Sequence, residues 1–530
     1  FWTPLVLIWH LGQFPVWYPG RFSFVLIFFA LDLAIIALKQ REKISFWQIG
    51  VLILLAIGLI VFITVDSKSF AFLNQNAQTA SAAFLALGIL FIGFIHNRSN
   101  FAAPFFCLII ELELIVNLVL SLNNLAYQNN ADYQNFVQNT KQVTQYAKDH
   151  DDRLYRMEKT FYRSDDDPFS ANYYGLSTFN SISNQRVLNL LSNLGFVNNS
   201  NSYTNYGSTP ITDDLFGVKY YILPNDDITP LKANEQMKYS NSSNRIDTSD
   251  YDIVKRFEQL VLMKNDDALP FLFLTPKSTT KVKFDSTDIT GNQNKFFEAA
   301  TGKQTQLFSS VTWPDPKLIN ISGWDGGWMQ YTKKDKAKEG RVIFNFKPQT
   351  DNSYYLELPG DIDNDSISLT VNGNSINTDV RDQNSRLINL GSRQRGQTIH
   401  VVFTLKNNQL NLNAANLWCL NTKKLEQIMD KFKQKQPQFK QTSALTIHSN
   451  SFSTKKTETM NSTIPNSFNW LILDNGHIIH KNKILFMNTF LNFKLNKGTH
   501  KITLIYVPWV FLIGIAISLL TLFLYLSIRK

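Results

Sequence analysis

Three carboxylates, Asp32, Glu111 and Glu113, stand inside long apolar runs of this chain. A charged side chain at the middle of a bilayer costs about 2.5–3.5 kcal/mol on insertion scales. Such groups therefore face a bundle interior or water, and they mark polar paths and ion sites. The plainer role is one interhelical hydrogen bond, or a carboxyl kept protonated in place. Glu111 and Glu113 are two residues apart and leave a helix on different faces, so they cannot act as one pair. Glu111 is the leading candidate of the three. Arg21 stands at the edge of an apolar run beside Trp17 and Tyr18. A guanidinium there can grip a phosphate through paired hydrogen bonds. It can equally be an anchor in an interfacial aromatic belt.

The polar part of the chain offers weaker signals. Asp165-Asp166-Asp167 precedes Pro168; consecutive carboxylates suit one cation poorly, and Asp before Pro favours a turn. Gly323-Trp-Asp-Gly-Gly-Trp is glycine-rich but lacks the Lys-Ser/Thr and helix of a phosphate loop. Its Trp324 and Trp328 are candidate sugar-stacking residues, with strand-edge packing the commoner use. The eight histidines, His477 and His480 included, lack metal-ligand spacing, so no metal site is assigned. Nothing points to a nucleic-acid groove. Cys107 lies in an apolar run and Cys419 in the polar part, so no disulfide framework is expected.

The elements that position these residues fall into two materials. Residues 22–38, 46–65, 79–95 and 102–122 each approach or reach the roughly 20 residues that cross a bilayer, and 507–528 is a final span. The opening run, 1–14, reads as a truncated helix, and the chain as the C-terminal part of a longer protein. Lys39, Arg41 and Lys43, then Arg98, then Arg529 and Lys530 fall on one side when the spans are threaded alternately. The positive-inside rule makes that side cytoplasmic and places the polar body, 123–506, outside. A net charge of +10 suits anionic lipid or an anionic polymer.

The expected architecture is a multi-pass helical bundle over 1–122, an extracytoplasmic α+β subdomain over 123–224 and a β-rich region over 225–506. A transmembrane helix with a cytoplasmic tail closes the chain over 507–530. Helical spacing marks 131–149 and 185–194, while 153–161 and 218–223 read as strands. Alternation in Val342-Ile-Phe-Asn-Phe, Tyr354-Tyr-Leu-Glu-Leu, Ile367-Ser-Leu-Thr-Val, Ile399-His-Val-Val-Phe and Ile502-Thr-Leu-Ile-Tyr predicts one or two β-sandwiches, interrupted by a helix over 417–433.

The stretch 153–223 carries a further pattern. It reads Arg153-Leu-Tyr-Arg-Met-Glu, Phe161-Tyr-Arg-Ser-Asp-Asp-Asp-Pro, Asn172-Tyr-Tyr-Gly-Leu-Ser-Thr-Phe-Asn-Ser, Tyr206-Gly-Ser-Thr and Asp214-Leu-Phe-Gly-Val-Lys-Tyr-Tyr-Ile. With Tyr18-Pro-Gly-Arg-Phe-Ser-Phe, Ala268-Leu-Pro, Ile464-Pro, Trp470 and Phe490-Leu-Asn-Phe-Lys-Leu-Asn-Lys-Gly, it resembles the YfhO family of bacterial multi-pass membrane proteins over essentially the whole chain. One departure is Phe468-Asn469 before Trp470, where the family usually has an aromatic residue and Gly.

The resemblance implies a GT-C-like glycosyltransferase at the bacterial cell membrane. Its donor would be a sugar, typically N-acetylglucosamine, on undecaprenyl phosphate, and its acceptor an anionic cell-wall polymer such as lipoteichoic acid. It also implies a catalytic carboxylate in an early outward loop, N-terminal to Phe1, with Arg21 and Glu111 as candidates for the lipid phosphate or polar path. A divalent cation is compatible with that chemistry. A transporter of lipid-linked precursors and a non-catalytic, polymer-binding scaffold are the competing classes.

Overall fold

The computed structural model describes residues 7–8, 23–40, 45–65, 74–95, 102–225, 235–241, 244–275, 282–323, 328–378 and 385–528. The chain forms two compact units, Phe1–Gln128 and Asn129–Lys530.

The first unit contains α1 (Ser23–Gln40), α2 (Phe46–Val65), α3 (Gln75–Ile95) and α4 (Ala102–Asn123). Stretches of α2, α3 and α4 are long and apolar enough to cross a membrane, whereas the apolar part of α1, Ser23–Ala37, is shorter. The sequence reading expects four full spans here, and the described apolar part of the first covers Ser23–Ala37 of the expected 22–38. The start of α3 is tied to the end of α4, with Asn74 Nδ2 donating to Asn124 Oδ1 at 2.8 Å. At the other end the rings of Phe91 and Phe105 stack with centroids 5.0 Å apart. Arg21 and most of the opening run lie outside the described residues.

The second unit begins with α5 (Asn130–His150), which Asn129 caps by accepting from the amides of Ala131 and Asp132. Four strands form one layer: β1 (Arg156–Lys159), β2 (Val218–Pro224), β3 (Asp252–Arg256) and β4 (Leu260–Lys264), in the order β1-β2-β4-β3. β1 and β2 run parallel, the rest antiparallel. This sheet draws strands from both sides of residue 224, where composition changes. Its Tyr220, Ile222 and Leu262 pack against Phe136 and Val143 of α5. The opposite face, including Tyr221, Val261 and Met263, packs with α6 (Gln185–Asn193), α7 (Pro210–Phe216) and α8 (Ile289–Thr301). Coverage on both faces explains why β2, Lys219 apart, reads as an apolar run instead of alternating. Gly217 joins α7 to β2 at φ 71°, and a Cβ there would meet Leu269 O at 2.5 Å. Only glycine fits that turn without displacing backbone.

Two sandwiches follow. In the first, a five-stranded sheet containing Gly340–Phe346, Ile367–Val371 and Ile399–Leu405 faces a four-stranded sheet containing Ser353–Leu358 and Asn416–Leu420. Val342, Phe344 and Phe346 point inward, while Arg341 and Asn345 point out. Asn416–Leu420 corrects the expected helix over 417–433. Leu417 and Cys419 enter the sandwich core, while Leu420 joins the core beneath the α+β layer. The helix, α9 (Thr422–Lys433), starts only after Asn421, whose side chain accepts from the Lys424 amide.

The second sandwich pairs a five-stranded sheet, with Phe439–Ser443, Trp470–Asp474 and Ile502–Tyr506, against a three-stranded sheet completed by β5 (Leu272–Thr275). From Tyr506 only Val507 and Pro508 lead into α10 (Trp509–Ile528), a fourth helix of spanning length. That junction is pinned. Tyr506 N donates to Leu445 O, Val507 N to Asn469 O, and Asn469 Nδ2 to Tyr506 Oη, each at 2.8 Å.

Candidate functional site

α1 to α4 enclose a cleft of about 700 Å³. Leu55, Leu59 and Ile63 of α2, Leu85 and Ile92 of α3 and Ile109 of α4 contribute an aliphatic wall. α3 turns its small residues Ala77, Ser81, Ala82 and Gly88 to the cleft, and their helical spacing leaves the space open. Glu113 is the only carboxylate among the lining residues, with Gln78, Ser81 and Thr64 as further polar groups. Glu111, the stronger candidate by sequence, is exposed and does not line it. The two-residue offset puts the pair on different faces; Glu113, likewise exposed, is the one that borders the cleft. Asp32 is exposed on α1.

In the second unit the motif residues converge on the α+β layer. Arg156 donates to Phe216 O, Thr463 Oγ1 (2.8 Å) and Thr463 O (3.0 Å), with its guanidinium 4.1 Å from the Phe271 ring centroid. Burial pulls it down to about 10. Glu158 accepts the Leu176 amide and is pushed up to about 7 by burial. Arg245 bridges two carboxylates, Asp213 at 2.6 Å and Asp247 at 2.7 Å, and donates to Tyr221 Oη at 2.8 Å. Tyr355 of the first sandwich donates to Asp247, so this buried cluster joins sandwich to layer. Burial opposes the Arg245 charge, but Asp213 and Asp247 outweigh it and hold the guanidinium protonated.

Two cavities open in this unit, the first of them bordered by Asp247 of that cluster. One, about 260 Å³, is lined by Asp214, Asp250, Asp267 and Glu426 among others. Burial first, then the Asp267 carboxylate, pushes Asp214 well above the carboxylate range, and Asn265 Nδ2 donates to it at 2.8 Å. The other, about 500 Å³, is lined by Arg153, Tyr155 and Lys219, with Leu154, Pro270 and Phe439 as apolar surface. Lys264, Asp266, Asp430 and Lys433 line both cavities. Burial opposes the charge of Asp151 behind this wall. Hydrogen bonds from Arg153 and Lys219 win and hold it well below the usual range.

The remaining candidates are separate from these cavities. Trp328 is 67% exposed on an isolated bridge, and Trp324 falls outside the described residues. Asp167 is buried, pairs with Lys159 at 2.6 Å and accepts the amides of Arg163 and Ser164, while Asp166 accepts from Phe179. The acidic triplet therefore builds a turn. His500 bonds Asp474 at 2.8 Å, and His477 is exposed. Among the described residues no group of three or more His, Cys, Asp or Glu side chains is placed to hold a metal ion. Both cysteines are free. Tyr155 and Lys219 were residues that spacing alone did not bring forward.

No curated protein matches the chain. Among solved structures, a Ruminococcus gnavus beta-glucuronidase in complex with uronic isofagomine is similar at 11% identity and a TM-score of 0.14. That match covers 43% of this chain and 36% of the glucuronidase, so the chain spans about a third of its length. An anti-sigma factor domain-containing protein is similar at 10% identity and a TM-score of 0.12, over 36% of this chain and 82% of its own. Neither likeness bears on fold or function at such scores. The model of the bacterial membrane protein YfhO matches residues 1–518, nearly the whole chain, and the chain belongs to the YfhO family.

Proposed function

We propose that this protein is a membrane glycosyltransferase of the GT-C type. It moves a sugar, N-acetylglucosamine in the first instance, from an undecaprenyl-phosphate carrier to an extracytoplasmic wall polymer such as lipoteichoic acid. The observation that carries this reading is the cleft of about 700 Å³ among α1 to α4. Its aliphatic lining suits a polyprenyl chain, and Glu113 marks a polar point along the path. The acceptor hydroxyl needs a carboxylate as general base, and the departing phosphate needs a cationic partner; Arg21 is the candidate for the latter. The basic residues of the short loops support an outward-facing body.

A strain lacking the gene is expected to lose sugar from its lipoteichoic acid; fully glycosylated polymer in that strain overturns the proposal. The same cleft would also suit a transporter of lipid-linked precursors. Reconstituted protein separates the two. Product formed with donor and acceptor on one side of the vesicle supports transfer, and movement of labelled carrier lipid between leaflets without product supports transport.

A further inference from the structure

We infer that two turns beside the start of α10, at 443–446 and 467–470, press Leu445 and Phe468 into the headgroup layer of a lipid bilayer. The occupant of this apolar surface is the membrane itself, and the inference holds whatever reaction the protein performs.

The two ends of one sheet differ in their turns. The hairpin between Trp470–Asp474 and His477–Ile479 turns through Asn475 and Gly476, both at positive φ. Those are the usual residues of a tight turn in water. At the other end, the hairpin between Phe439–Ser443 and Thr446–Ser449 turns through Ala444 and Leu445. Beside it, Trp470 N donates to Ser467 O and closes a turn with Phe468 and Asn469 at its tip. Leu445 is 46% exposed and Phe468 67%. Residues 441–446 and 466–470 contain no Asp, Glu, Lys or Arg, so no charge has to be dehydrated when these tips leave water.

Exposure alone decides nothing, since Ile478 is 63% exposed at the polar end of the same sheet. Position decides. Leu445 O accepts from Tyr506 N and Asn469 O from Val507 N, each at 2.8 Å. The 20 residues of α10 rise about 30 Å, which is the thickness of the hydrocarbon core with nothing to spare. Trp509 therefore stands at the hydrocarbon boundary. Tyr506 and Val507 precede it by at most about 10 Å of chain, and the headgroup layer is about 5–8 Å deep. The turns bonded to those two residues share that depth.

The surrounding side chains suit the same layer. The rings of Trp470 and Tyr506 meet edge to face with centroids 5.1 Å apart, and Trp509 is exposed. Such amphipathic rings collect at membrane–water interfaces. Lys481 Nζ donates to Ser467 O at 2.6 Å, which sets a cation behind the Phe468 turn at the height of lipid phosphates. Helix and turns then make three points of contact that fix the tilt of the sheet.

The test places a nitrobenzoxadiazole probe at Leu445→Cys, Phe468→Cys or Ile478→Cys in the full chain. Cys107→Ala removes the exposed native thiol, and Cys419 is buried. The protein sits in nanodiscs of phosphatidylcholine and phosphatidylglycerol, with a nitroxide on the lipid headgroup or iodide in the water as quencher. The nitroxide is expected to remove about half or more of the emission at 445 and 468 but about a tenth or less at 478, with iodide giving the reverse order. Lipid quenching at 445 and 468 no stronger than at 478 overturns the inference. Shielding of both turns from both quenchers overturns it too, because protein then covers them in place of lipid.

Discussion

β1 and the strand Gly340–Phe346 show two ways of burying a strand. Gly340–Phe346 alternates, with Val342, Phe344 and Phe346 in and Arg341, the half-buried Ile343 and Asn345 out. β1 reads Arg-Met-Glu-Lys and is buried at every position. Three of its four side chains are ionisable, and each needs its own partner. Arg156 takes Thr463 and the Phe271 ring, Glu158 the Leu176 amide, and Lys159 takes Asp167. The sandwich is held by area removed from water, which tolerates substitution if volume is kept. The layer is held by matched polar groups, where loss of one strands another. Generic packing serves the scaffold, while the layer beside the cavities is specified atom by atom.

The largest effect is expected at Arg245. Arg245→Met leaves Asp213 and Asp247 buried without their shared cation, and about 3–5 kcal/mol of stability should be lost in a denaturant titration. A loss below 1 kcal/mol would erase the contrast. Leu369→Ala in the sandwich core should cost about 3 kcal/mol by the same measurement, since the site is closed and cannot collapse fully. Glu158 gives a pH-dependent effect. Its carboxyl rises from 4.5 to about 7 in the folded chain, so its contribution is complete below pH 4.5 and declines as pH climbs through 7. At ~1.4 kcal/mol per unit the total is up to about 3 kcal/mol. Glu158→Gln should remove that slope, so its advantage over the native chain grows from pH 5 to 7.5 and then levels off; parallel curves refute it. Arg341→Ala, on the outer face with only the exposed Glu339 as partner, should stay within about 0.5 kcal/mol.

What the sequence revealed follows the same division. Ile367–Val371 and Ile502–Tyr506 were legible to the residue because one face of each meets a core and the pattern has period two. α5 was legible from Phe136 and Val143 at helical spacing. The helix expected over 417–433 failed at its start because Leu417-Trp-Cys-Leu is apolar under either period, and only pairing with Ser353–Leu358 decides it. The cavities were not legible at all. Tyr155, Lys219 and Lys264 come from three separate strands or their approaches, and nothing in their spacing announces that they meet. Glu113 against Glu111 is a case of phase: periodicity says that the two differ, and packing says which one faces the cleft.

The junction between the last sheet and α10 has a mechanical meaning. Val507 and Pro508 span at most about 7 Å when extended, and the first of them is already bonded to Asn469. A tether this short offers no swinging arm. The sheet before α10 therefore moves with that helix as one piece, and a rotation or tilt of the helix is passed to the sheet undamped.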